Sequence, residues 1–208
     1  SFMTVATRPL PPVDRAALVG SRLCHDVVSP LGAIGNGVEL LEMSPAFPGI
    51  GETPEMQLIA EAVNAARLRI AAYRVAFGAA GTDQRISASE LRRLAEGLTG
   101  QGRLKIQIEA EGDFSRSETR LVLLALMCLE TAFSWGGRVL VVRAGGGWRL
   151  VAEAERNRHD PALWAWLDGA VPARAPAPSE VQFPLLAGAA QGRPLRAEID
   201  AAGAEIIF

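Results

Sequence analysis

The residues best suited to chemistry stand in the run His25-Asp26-Val27-Val28-Ser29-Pro30-Leu31. A neutral imidazole is a competent nucleophile near pH 7, because its ordinary pKa is about 6.5. Asp26 offers a carboxylate that could hold one ring N–H and turn the other nitrogen outward, or it is simply a solvated surface acid. Only one other histidine, His159, and two cysteines, Cys24 and Cys128, are present. They do not cluster, which argues against a structural zinc site. The cysteines lie in apolar helical patterns and read as reduced thiols packed as small hydrophobes, not as a disulfide.

A long helix must carry this run. From Asp14, a candidate N-cap, to about Met43, Val19, Leu23, Val27, Leu31, Ile34, Val38 and Leu41 recur at spacings of three and four and form one apolar stripe. At about 100° per residue, His25 falls almost diametrically opposite that stripe. Leu18, Arg22, Ser29, Gly32 and Asn36 share its face within one to three turns. The histidine is therefore expected to meet solvent on a mostly small and polar surface that could admit another protein closely. Pro30 inside a helix costs on the order of 3 kcal/mol, and Gly32, Gly35 and Gly37 roughly 1 kcal/mol each relative to alanine. A helix needing only to pack would not be expected to carry all four within eight residues.

After a break at residues 44–52, Thr53-Pro54 supplies an N-cap and a first-turn proline. The helix that follows, to about Gly78, aligns Ile59, Val63, Ala66, Ile70, Tyr73 and Phe77. The short connection makes an antiparallel hairpin. Two helices cannot enclose so long a seam, so the hairpin is expected to pair with a second copy as a four-helix bundle. The alternative is that it packs only on its own C-terminal domain.

The chain divides into an arm (1–12) whose Ser1-Phe2 before Met3 looks like a cloning remnant, the hairpin (13–78), a linker (79–86) and an α/β domain (87–208). In the last, Ser87-x-x-Glu90 and Ser115-x-x-Glu118 are capping boxes that open helices. Leu104, Ile106 and Ile108 alternate as a strand, and a buried helix over about 117–134 ends at Gly136-Gly137. Strands at about 138–144 and 148–154, helices to Leu167 and at about 179–190, and strands at about 194–200 and 204–208 complete it. The whole is an α+β chain: a long helical hairpin followed by an α/β sandwich. With 21 Lys and Arg against 23 Asp and Glu, the net charge of -2 argues against binding nucleic acid through its phosphates. No uninterrupted apolar run reaches the about 18 residues that span a bilayer, and no signal peptide is visible, so a cytoplasmic location without membrane attachment is expected.

The run from His25 to Leu31, continued by Ala33-Ile34 and Val38-Glu39-Leu40-Leu41, resembles the phospho-acceptor box of sensor histidine kinases. The second half resembles an eroded kinase ATPase domain. Leu126–Ser134 sits where kinases have their N-box helix, with Thr131 at the place of the asparagine that helps bind magnesium-ATP and Ser134 where a basic residue is common. The strand that should run into Asp-x-Gly-x-Gly reads Val151-Ala152-Glu153-Ala154-Glu155-Arg156-Asn157-Arg158, without a glycine. That combination resembles the dimeric bacterial histidine phosphotransferases of the ChpT type, which serve an alphaproteobacterial cell-cycle phosphorelay.

The resemblance implies that His25 takes a phosphoryl group from the receiver aspartate of a hybrid histidine kinase of the CckA type. His25 would then pass it to response regulators of the CtrA and CpdR type. Ser29 would hydrogen-bond a phosphoryl oxygen or merely cap the kink at Pro30; Arg22 would steady the added charge, contact an acidic partner or remain solvated. Leu18, Arg22, Gly32 and Asn36 would form the docking face. No cofactor is expected on this chain: no ATP, and Mg2+ supplied by the partner receiver. The competing expectations are an active ATP-dependent kinase and a non-catalytic scaffold for response regulators.

Overall fold

The computed structural model describes residues 12–79, 84–99 and 103–208, with side chains in the first helix from Ala16 onward. The expected arm lies outside the described residues except for Pro12, and the expected linker is described only at Ala79 and from Gln84.

Helix α1 (Pro12–Glu42) begins two residues before Asp14. Pro12 takes the first position, where its missing N–H is not needed, so Asp14 falls inside the first turn instead of capping it. The helix continues through Pro30. Helix α2 (Pro54–Ala76) opens as expected: the Thr53 hydroxyl accepts the Met56 amide at 3.3 Å and donates to the Ile50 carbonyl at 2.7 Å.

The expected stripe on α1 divides in two. Ala17, Cys24 and Val38 are buried against α2 and Leu31 is half-buried, a row seven residues apart. Val19, Leu23, Val27, Ile34 and Leu41 instead remain 39–61% exposed. The buried row lies about 90° round the helix from the exposed stripe and about 110° from His25 on the other side. On α2, Ile59 is exposed, while Val63, Ala66, Ile70, Tyr73 and Phe77 are half-buried.

The C-terminal region is a five-stranded sheet in the order β2-β4-β5-β7-β6 with helices on one face. Its strands are β2 (Leu104–Glu109), β4 (Gly137–Ala144), β5 (Gly147–Glu153), β6 (Arg196–Ile199) and β7 (Gly203–Ile207). β2 and β4 run parallel; the other neighbours are antiparallel. Helices α3 (Ala88–Thr99), α4 (Arg116–Ala132), α5 (Pro161–Asp168) and α6 (Gln182–Ala189) supply the other layer. Residues Leu121 to Leu129 of α4 are all buried. At the start of α4, Ser115 and Glu118 form a complete capping box. At α3 only half of one forms: Ser87 Oγ accepts the Glu90 amide, while the Glu90 carboxylate turns to Arg93.

Arg85–Ser87 (β1) pairs antiparallel with Asp113–Ser115 (β3), so part of the expected linker is a strand. Three residues are too few to show alternation, which is why neither strand was visible.

The hairpin is fastened to this domain. Ala72, Val75 and Ala76 of α2 belong to the same buried cluster as α3 and α4. A methyl at Gly97 would sit 2.4 Å from the Leu68 carbonyl oxygen, so glycine allows α3 to touch α2. Arginines satisfy carbonyls left open at helix ends: Arg69 donates to Gly97 and Leu98, Arg116 to Arg74, and Arg120 to Ala76. No described helix is long and apolar enough to cross a membrane.

Candidate functional site

His25 projects from the middle of α1 with 83% of its side chain exposed. Its Nδ1 lies 3.2 Å from Asp26 Oδ1. The other oxygen of that carboxylate, Oδ2, accepts from Arg22 Nε at 2.7 Å. An ionised carboxylate can only accept, so the contact assigns the proton to Nδ1 and leaves the Nε2 lone pair facing solvent. The Arg22 guanidinium, and then the His25 ring, hold the Asp26 carboxyl below the ordinary range. Asp26 is thereby kept ionised and available to orient the ring.

The other expected residues surround His25 on the same face. Leu18, Arg22, Ser29 and Asn36 are exposed and Gly32 half-buried. No hydrogen bond ties the Ser29 hydroxyl to the described residues, so it does not cap the turn that Pro30 weakens. A methyl built on Gly32 or Gly37 meets nothing within 4 Å, whereas one on Gly35 would fall 2.2 Å from Arg67 Nη2. Gly35 is therefore the bed of an arginine from α2. Arg67 Nη2 donates to the Gly32 carbonyl at 3.2 Å, and its Nη1 lies 3.6 Å from Glu39 Oε1. Nothing in the structure accounts for Gly37.

Of the residues that resemble a kinase's nucleotide positions, Thr131 has its partners within the fold. The Thr131 hydroxyl donates to the Met127 carbonyl at 3.0 Å and accepts from Gln182 Nε2 at 2.8 Å. Gln182, at the start of α6, is buried. Ser134 is exposed. In the loop that replaces the glycine-rich segment, Arg156 stacks on Trp135 at 4.7 Å and the Arg158 amide donates to the Ala132 carbonyl. The Thr131 hydroxyl is thus engaged within the fold, and one of the two loop arginines lies on an indole. Cys24 and Cys128 are free and buried, and burial pushes both thiols up, Cys128 strongly. Neither is poised as a nucleophile.

Residues 88–205, more than half of the chain, match the histidine phosphotransferase C-terminal domain family. The chain belongs to the histidine phosphotransferase family. It is 46% identical over 70 residues to the protein phosphotransferase ChpT of Brucella abortus (strain 2308), a match covering 34% of this chain and 31% of that protein. A bacterial phosphotransferase of solved structure shares its fold, with a TM-score of 0.65, 23% identity and coverage of 96% of this chain and 98% of the other. The histidine kinase domain of a blue-light activated kinase from Erythrobacter litoralis aligns with a TM-score of 0.45 and 16% identity, covering 86% and 93%.

Arg67 and the Thr131–Gln182 pair escaped the sequence reading. One of three arginines in an alanine-rich helix carries no signal of its own; Gly35, unexplained by helix propensity, was the trace of it.

Proposed function

We propose that His25 carries the phosphoryl group of a histidine phosphotransferase acting between receiver domains. The observation behind this reading is the outward imidazole whose Nδ1 rests on Asp26 while Nε2 stays free. Nε2 attacks the phosphorus of a receiver's aspartyl phosphate. The N–P bond forms as the O–P bond breaks, and the aspartate leaves as a carboxylate with the electron pair. The ring becomes cationic, and the Asp26 carboxylate beside Nδ1–H stabilises that charge. Reversal onto a second receiver completes the relay. The partner's acidic pocket would hold the Mg2+ that supplies charge neutralisation for the equatorial oxygens, Ser29 would offer its hydroxyl to one of them, and Arg22 chiefly holds Asp26 in place.

The partners are the receiver of a hybrid histidine kinase and those of response regulators, of the CckA and CtrA/CpdR kind, docking over Leu18, Arg22, Gly32 and Asn36. The chain uses no ATP, a reading supported by the spent Thr131 hydroxyl and the missing glycine-rich segment. The exposed stripe Val19, Leu23, Val27, Ile34 and Leu41 is covered by a second copy in a four-helix bundle, because contiguous apolar surface of this kind seeks a partner. The setting is a cytoplasmic cell-cycle relay.

The test is transfer of labelled phosphate from acetyl-phosphate-charged receivers, compared with incubation in labelled ATP alone. The wild-type chain should take label from a receiver and none from ATP, and His25→Ala should take none from either. Prompt labelling by ATP would make the chain a kinase; binding of receivers without any label transfer would make it a scaffold.

A further inference from the structure

The region between His25 and the hairpin tip is the weakest stretch of α1. Pro30 deletes the hydrogen bond to the Asp26 carbonyl, and Gly32, Gly35 and Gly37 follow within seven residues. Into that stretch α2 sends Arg67. Arg67 lies in the gap over Gly35, donates to the Gly32 carbonyl at 3.2 Å, reaches the Asn36 side-chain oxygen at 3.5 Å and pairs with Glu39. A hydrogen bond from a charged donor is roughly twice as strong as a neutral one. Gly32 and Asn36 both stand on the His25 face, Gly32 about 10 Å along the axis from His25. A partner interface of about 800 Å² per side, centred on His25, reaches about 16 Å from it. The arginine thus holds the floor of that footprint.

We propose that Arg67 is a positioning residue for phosphotransfer: bedded on Gly35, its guanidinium fixes the α1 backbone at Gly32 and the Asn36 side chain, presenting a preformed surface to the incoming receiver. The proposal rests on the phosphotransfer reading above. Its geometry makes two demands beyond a simple charge. The planar fork is needed to bond Gly32 while pairing with Glu39, which a lysine's point charge does not reproduce. The space above Gly35 is needed too. A methyl there would push aside only the far end of a flexible side chain, so Gly35→Ala should displace Arg67 without unfolding the hairpin.

The experiment measures transfer from an acetyl-phosphate-charged hybrid-kinase receiver to the full chain, with kcat and KM separated, alongside hydrogen exchange of the Asn36 amide. Arg67→Ala, Arg67→Lys and Gly35→Ala should each raise KM about 5–10-fold with kcat within about two-fold, and each should speed exchange at Asn36. Gly35→Ala combined with Arg67→Ala should do no more than either alone, since both remove one contact. Unchanged KM in Arg67→Ala, full rescue by lysine, or effects that multiply in the double variant would overturn the assignment. If His25→Ala still accepted phosphate, the phosphotransfer reading would fail instead. Asn36 exchange would then decide the clamp alone: unaltered exchange would dismiss it.

Discussion

The hairpin and the C-terminal domain handle their side chains in opposite ways. In the domain, the apolar groups of the central helix are enclosed: Leu121 to Leu129 of α4 form an unbroken buried run, and Thr131 accepts a hydrogen bond from the buried Gln182. On α1, Leu23 and Ile34 are more than half exposed on one face, and His25 stands in solvent on the opposite one. Buried apolar surface is concentrated in the domain, and exposed side chains on α1. The domain packs its helices on the sheet, and its Arg116 and Arg120 bond the α2 carbonyls. It serves as a foundation that holds the hairpin.

That contrast can be broken by substitution. The largest effect belongs to His25→Ala, which should reduce phosphate acceptance at least about a thousand-fold and leave the urea midpoint unchanged. A fall in the midpoint would show that the ring supports the fold. Next is Leu124→Ala in the enclosed α4, expected to cost about 2–5 kcal/mol in urea unfolding while the folded protein still accepts phosphate. A cost under about 1 kcal/mol would mean that the core does not run through this helix.

Much of this division was legible in the sequence, and unevenly so. The box from His25 to Leu31 was legible as a resemblance, and the outward direction of His25 follows from the 3.6-residue period, a local property that tertiary packing did not alter. The caps at Thr53 and Ser115 were readable for the same reason: donor and acceptor lie within three residues. The apolar stripe on α1 was seen, but not its division into a buried seven-residue row and an exposed row, because that depends on where α2 crosses. β1 and β3 are too short for a pattern. Arg67 sits 35 residues from the Gly32 carbonyl it bonds, and no spacing rule connects them.

Smaller effects sharpen the comparison. Leu23 is 61% exposed in the protomer, so Leu23→Glu should change its intrinsic stability by less than about 1 kcal/mol while light scattering reports half the wild-type mass. A variant that keeps the wild-type mass, or a monomeric wild type, would show that no second copy covers the stripe. The smallest effect concerns Asp26. Its pKa lies below the ordinary 3.8, chiefly through the hydrogen bond from Arg22, so in Arg22→Ala the carboxyl titration followed by NMR should move upward. For a carboxylate depressed in the folded state, the stabilising contribution is present above the ordinary titration range and lost as pH falls through the folded pKa. Acidification below neutrality should therefore leave the Asp26 contact intact until that lower value. An unmoved midpoint in Arg22→Ala would dismiss the ion pair.

The central claim is that Nε2 of His25 is the atom that receives phosphate while Nδ1 keeps its proton on Asp26. ¹⁵N NMR of the full chain, labelled in its histidine rings and charged by a phosphorylated receiver, reads this directly. The account predicts phosphorus coupling at Nε2 of His25, a protonated Nδ1 and an unaltered His159. Phosphate on Nδ1, on His159 or on any other residue would contradict it.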